Sequence, residues 1–76
     1  MSEIDLHGYH LSVALTLLEE KLNDCIVNQE VELKIIHGLG SGKLRQEVHW
    51  LLDEYQNCIE SYYLSDFWGA VTTVKF

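Results

Sequence analysis

Two short clusters in this sequence combine side chains and turns suited to phosphate chemistry. The first is Asp5-Leu6-His7-Gly8, a carboxylate and an imidazole two residues apart. The second is His37-Gly38-Leu39-Gly40-Ser41-Gly42, which holds three of the chain's five glycines and leads into Lys43 and Arg45. Histidine titrates near neutrality, so His7 and His37 could divide general base and general acid in phosphodiester cleavage. Asp5 could orient His7, or join the two histidines as ligands of a divalent metal such as Mg2+. A glycine turn that opens a helix offers backbone N–H groups and the positive end of the helix dipole, and both attract phosphate. Gly38, Gly40, Ser41 and Gly42 are therefore candidate phosphate-binding positions. Lys43 and Arg45 would stand in the first helical turn, where cations oppose the dipole and are better explained by an anionic ligand.

Each of these features also has a plainer reading. Glycine is the default for any tight turn, with or without a ligand. A histidine at a strand end often serves only as a hydrogen-bonded structural group. Gly38 to Lys43 resembles a nucleotide-binding P-loop, but that motif needs four residues before its Gly-Lys pair and only three are present. The spacing fails the dinucleotide fingerprint as well. His10 and His49 are weaker candidates. His49 falls one turn beyond Arg45 on the polar side of its helix, where it would touch a phosphate or simply face solvent.

The elements that must position these clusters follow from hydrophobic spacing. Residues 3–6 read as a short strand closed by Gly8. Leu11, Ala14, Leu15, Leu18, Leu22, Cys25 and Ile26 recur at helical intervals, with Ser12 as an N-cap or first-turn residue. Val13 and Leu17 lie off that stripe. Val31, Leu33 and Ile35 alternate with Glu32 and Lys34 as in a half-buried strand. A second helix carries Leu44, Val48, Leu51, Leu52 and Tyr55 on one face and ends at Asn57. Residues 59–64 and 70–76 read as two strands joined by a short connection through Asp66-Phe67-Trp68-Gly69.

The order strand, helix, strand, helix, strand, strand predicts an α/β two-layer sandwich, with a mixed sheet of about four strands and both helices on one face. In that arrangement a right-handed crossover joins a parallel pair and the closing hairpin adds an antiparallel edge. The loops after the first two strands emerge at one edge of the sheet, where α/β proteins commonly bind ligands. Asp5, His7 and His37 are thereby expected to converge at one mouth. Trp50, Phe67 and Trp68 fall off the core pattern and could stack bases or cap the rim of a small core. Tyr62 and Tyr63 read as packing.

With 76 residues the chain has room for one domain, residues 1–76, and a single core. A domain this small hides only about 60% of its unfolded surface, so its stability margin is thin. Hydrophobic residues make up 47% of the chain, too many for disorder. No apolar run approaches the roughly 18 residues that span a bilayer, and no leader segment opens the chain, which reads as cytoplasmic. Cys25 and Cys58 lack metal-binding spacing and read as buried, inert thiols, with a disulfide or redox role the alternative. The formal charge of -7 sets twelve acidic residues against five basic ones, so any hold on nucleic acid must be local.

Taken together, the two clusters resemble the signatures of small MutS-related (Smr) domains. Asp5-Leu6-His7-Gly8 is similar to their amino-terminal D-L-H-G motif. His37-Gly38-Leu39-Gly40-Ser41-Gly42 with Leu44-Arg45 is similar to their H-G-x-G-x-G loop, and the terminal Ala-Val-Thr-Thr-Val strand matches too. The family occurs as the C-terminal domain of bacterial MutS-related recombination suppressors, as small free-standing proteins and in eukaryotic proteins. Its fold is similar to the C-terminal domain of a bacterial translation initiation factor. The resemblance implies endonucleolytic nicking or cleavage of DNA or RNA by Asp5, His7 and His37. It further implies phosphate contacts from Gly38, Gly40, Gly42 and Arg45. One departure is that Asp66-Phe67-Trp68-Gly69 is short and aromatic where the family has a glycine-rich loop.

The expected function is thus an endonuclease, metal-assisted or histidine-based, acting on branched or single-stranded DNA or RNA. A module that binds nucleic acid or the ribosome without cutting is the alternative. A protein-interaction domain using Leu17, Trp50 and Trp68, free or within a longer parent chain, is the third reading.

Overall fold

The structure, a computed structural model, describes residues 2–76. Strand β1 (Ser2–Asp5) leads into helix α1 (Leu11–Val27), strand β2 (Glu32–Ile36) into helix α2 (Lys43–Glu54), and strands β3 (Ser61–Leu64) and β4 (Val71–Lys75) close the chain. Helix α1 forms because Ala14, Leu18, Leu22 and Cys25 repeat at three- and four-residue intervals, and all four are buried. Ser12 falls in its first turn, while His10 occupies the capping position without a side-chain hydrogen bond. Helix α2 buries Val48, Leu51 and Leu52. Both helices meet Leu33, Ile35 and Val74 of the sheet in one core, on one face. This is the expected two-layer sandwich.

The sheet order is β1-β2-β4-β3. β1 runs parallel to β2, whereas β4 is antiparallel to both β2 and β3. The hairpin supplies the expected antiparallel pair at the edge, but with its two strands in reversed spatial order. β4 lies inside the sheet and β3 forms the edge. The cause is the crossover through α2, which carries the chain past one strand position before β3 begins. The short turn then forces β4 back into that gap, where partners on both sides satisfy its backbone groups. β1, β2 and β3 consequently point the same way, and the loops after all three emerge along one edge.

Two further expectations change. Cys25 is buried, but Cys58 is exposed in the turn before β3 rather than inside a strand. Burial pushes the Cys25 thiol up, which keeps it protonated and inert. Tyr62 packs as expected, whereas Tyr63 is exposed on the helix-free side of the sheet. Among the described residues, no helix is long and apolar enough to cross a membrane.

Leu18 is fully buried midway along α1, whereas Val13 on the same helix is exposed. Leu18→Ala is expected to lower unfolding free energy by about 3 kcal/mol in urea denaturation. Val13→Ala should stay within about 0.5 kcal/mol of the parent. Equal effects would contradict this assignment of faces.

Candidate functional site

Asp5 ends β1 opposite Ile36, and alternation turns its carboxylate to the open side of the sheet while Leu6 enters the core. One carboxylate oxygen, Oδ1, accepts the His7 backbone N–H at 3.1 Å and the His7 ring Nδ1–H at 2.6 Å. These two bonds hold the Asp5 carboxyl below its ordinary value. With Nδ1 committed to the carboxylate, His7 presents Nε2 to solvent on a side chain that is 68% exposed. A carboxylate that fixes tautomer and ring orientation in this way prepares an imidazole to take or give a proton.

His37 sits differently. It is 4% exposed, on the helix-covered side of the sheet. Its Nδ1–H donates to the Gly38 carbonyl at 3.1 Å, which leaves Nε2 to accept the Thr72 hydroxyl at 2.8 Å. The Thr72 oxygen in turn accepts the Nε2–H of His49 at 2.8 Å. The two rings stand edge to face at 6.0 Å, and His49 lies 4.9 Å from the ring of Tyr62. The Tyr62 hydroxyl donates to Asp53 at 2.6 Å, which pushes its phenol up to about 12. Burial lowers both histidines from their ordinary values and keeps them neutral.

The expected convergence of Asp5, His7 and His37 therefore does not occur. The sheet separates the Asp5 carboxylate from the His37 ring, and both His37 nitrogens are already engaged. Among the described residues, no three His, Cys, Asp or Glu side chains gather closely enough to hold a metal. Asp5, His7 and His37 do not fit as a metal-ligand set. Nor does His49 face solvent as the sequence suggested, since it turns inward to Thr72. Thr72 was missed altogether. The available signals were a threonine two residues before Val74 on the buried face of β4, and a histidine next to core residue Val48 on α2.

What joins the two groups is the loop of residues 37–42. The Ala70 carbonyl accepts the N–H groups of both His37 and Gly38 at 3.0 Å, tying the loop to the start of β4. A Cβ on Gly38 would lie 3.3 Å from the His7 Cβ, so the loop runs directly against His7. A cleft of about 450 Å3 results, bordered by His7, Tyr9, Gly38, Gly40, Lys43 and Arg45. Ser41 accepts the Lys43 N–H at 3.3 Å. The Leu44 and Arg45 N–H groups of the first turn have no acceptor among the described residues.

Arg45 occupies a slot that only glycines leave open. A Cβ on Gly42 would lie 3.2 Å from its Nη2 and one on Gly69 3.0 Å from its Nη1. Both glycines have φ near the left-handed region, 85° and 77°, which L side chains rarely adopt. The guanidinium thus bridges the loop and the β3–β4 turn, and it makes no ion pair among the described residues. Lys43 does not share this role. Its ammonium leans back to Glu47 at 3.8 Å and over the Trp50 ring at 5.8 Å.

The neutral histidine pair makes stability depend on pH. Unfolded, both imidazoles titrate near 6.5, whereas the fold holds them lower. Below about pH 6.5 the unfolded chain binds protons that the folded chain refuses, so stability falls as pH drops. The Asp5 contribution persists down to its ordinary value of 3.8 and does not mask this window. Urea midpoints measured between about pH 7.5 and about pH 5.5 should fall. The decline should flatten in a His37→Gln, His49→Gln variant. An equal decline in that variant would refute the assignment.

Comparison with known proteins identifies the family of the fold. The Smr domain family matches residues 4–69. A protein named Endonuclease MutS2 from Agathobacter rectalis is 39% identical over 66 residues, covering 87% of this chain and 8% of that protein. Its namesake from Maridesulfovibrio salexigens is 40% identical over 52 residues, covering 68% of this chain and 7% of that protein. The chain therefore spans less than a tenth of the length of these relatives. The crystal structure of the Smr domain of Thermus thermophilus MutS2 superposes with a TM-score of 0.89 and 27% identity, covering 99% of this chain and 96% of that one. With the family matched across both motifs and the solved domain matched across nearly the whole chain, the protein belongs to the Smr domain family.

Proposed function

We propose that this domain is an endonuclease that cuts phosphodiester bonds of DNA or RNA at a branch or in a single strand. The observation that carries the proposal is the Asp5–His7 pair, whose free Nε2 stands at the rim of a cleft holding an unpaired guanidinium. The relatives named Endonuclease MutS2 support the same reading. A substrate phosphate would seat against the free N–H groups of the α2 first turn and against Arg45, which together offset charge developing on its oxygens. His7 Nε2 would take the proton of the attacking water, while Asp5 stabilises the imidazolium that forms. The leaving oxygen would draw its proton from solvent. His37 is assigned to holding the loop through Thr72, not to proton transfer.

Binding without cleavage is the second reading. It draws on the engagement of both His37 nitrogens, which leaves a single acid–base group at the cleft.

The test incubates purified protein with supercoiled, nicked and branched DNA and with structured RNA. Mg2+ is present in one series and absent in the other, so that any dependence on a divalent ion is read directly. His7→Ala is expected to slow cleavage by about 10²- to 10⁴-fold with binding retained. Asp5→Asn should slow it as well. Equal cutting by wild type and His7→Ala would mean a contaminating nuclease and would sink the proposal. Binding that falls on Arg45→Ala, with no cleavage under any condition, would establish the second reading.

A further inference from the structure

The β3–β4 turn carries the most exposed aromatic residues of the domain. Phe67 is 91% exposed and Trp68 71%, far beyond what a rim-capping residue shows. They stand edge to face at 5.1 Å, so each ring supports the other while leaving broad faces to solvent. The turn beneath them is already built. Asp66 Oδ1 accepts the Val71 N–H at 2.9 Å, the Gly69 N–H reaches the Asp66 carbonyl at 3.3 Å, and the Ser65 N–H reaches the Val71 carbonyl at 2.9 Å. Large apolar surface held out on a preformed turn has no role in the core.

The position of the turn narrows what would cover it. The β3–β4 turn lies on the same sheet edge as His7 and the glycine loop, and Gly69 packs directly on the Arg45 guanidinium. β1 lies two strand spacings from β4 and three from β3, so the turn joining β3 and β4 stands roughly 10–14 Å from β1 along the edge. That is about three to four stacked nucleotide steps along one strand. The edge thus presents, in order, an acid–base group, backbone donors, one unpaired cation and two aromatic faces. A ligand complementary to that series carries a phosphate and, a few residues along, exposed aromatic rings.

Charge separates a duplex from an unpaired strand. A duplex hides its bases and is held by many phosphate contacts, which need many cations. This chain has five basic residues, of which Lys43 is turned to Glu47, leaving Arg45 as the unpaired cation of the cleft among the described residues. Stacking on aromatic rings needs no positive surface.

We infer that Phe67 and Trp68 form a base-stacking subsite beside Arg45, which makes an unpaired segment of DNA or RNA the substrate of this edge. The inference rests on the nucleic-acid reading above and deepens it. Affinity should come mainly from stacking, and its logarithm should fall with the logarithm of salt with a slope of only about -1, as one or two phosphate contacts predict.

The test measures binding of a mixed-sequence single-stranded oligonucleotide, the same strand annealed to its complement, and a version with abasic positions in place of bases. Wild type should prefer the single strand to the duplex and to the abasic strand by about tenfold or more. Phe67→Ala and Trp68→Ala together should erase that preference, with circular dichroism confirming the fold, and Trp68→Phe should restore most of it. In a Trp50→Phe background, Trp68 fluorescence should be quenched by the single strand. If wild type binds the single strand, the duplex and the abasic strand alike, or the double variant keeps the preference, the subsite is refuted while the proposed function stands. If wild type neither binds nor cuts any strand, both fall together.

Discussion

The Thr72 hydroxyl is the group on which the working edge depends. It is fully buried and bridges one buried and one half-buried imidazole, donating to His37 and accepting from His49. Because His37 also donates to the Gly38 carbonyl, every proton in the chain has one assigned place. The chain of bonds starts on helix α2, crosses the central strand β4 and ends in the backbone of the glycine loop. Helix, sheet and loop are therefore positioned by one satisfied polar network, and no buried side-chain N or O lacks a partner among the described residues. Leaving any member unpaired costs about 1–3 kcal/mol, a large share of a small domain's stability. Burial and tautomer together explain why His37 is neutral and why its own chemistry is spent on architecture.

A second constraint is steric. The Arg45 guanidinium lies between Gly42 and Gly69, each in a conformation and at a distance that excludes a side chain. The polar network fixes the loop from below and the guanidinium closes it against the β3–β4 turn from above. The cleft is thus formed before any ligand arrives, and little ordering cost remains to be met on binding. The cation was selected by its surroundings: an Arg whose fork spans two backbone segments has no equivalent in Lys43, which stays on its own helix.

Much of this could be read in the residues. Strict alternation in β2 and the three-and-four spacing of Leu18, Leu22 and Cys25 specified the elements, because one buried face imposes its period on the sequence. The position of β4 was not legible, since it depends on which gap a crossover leaves and not on any residue of β4 itself. The Asp5–His7 pairing was local, two residues apart on one chain segment, and so appeared in the motif. His37 misled because its sequence context resembles that of His7. The signal that separates them was alternation: His37 shares the parity of buried Leu33 and Ile35, whereas His7 shares that of exposed Glu3 and Asp5. Thr72 and His49 escaped for a different reason, being separated from His37 by 35 and 12 residues and joined only by the tertiary fold.

The acidic balance is reconciled with an anionic ligand by where the acids lie. Asp5, Glu47 and Asp66 flank the working edge, and each is already engaged: Asp5 by the donors of His7, Glu47 by Lys43, and Asp66 by the Val71 N–H. Desolvation pushes Asp66 up, yet its backbone donors outweigh this and hold the carboxyl below its ordinary value. Most of the remaining acids lie along the helices or toward the opposite edge, on a molecule 31 Å in its longest dimension. The Debye length at physiological salt is about 8 Å, so most of that charge is screened from the cleft. A local cation and aromatic surface can then govern binding despite the net charge. The same distribution repels any long polyanion laid across the whole domain, so the charge that looks adverse to nucleic acid confines contact to a short segment at one edge.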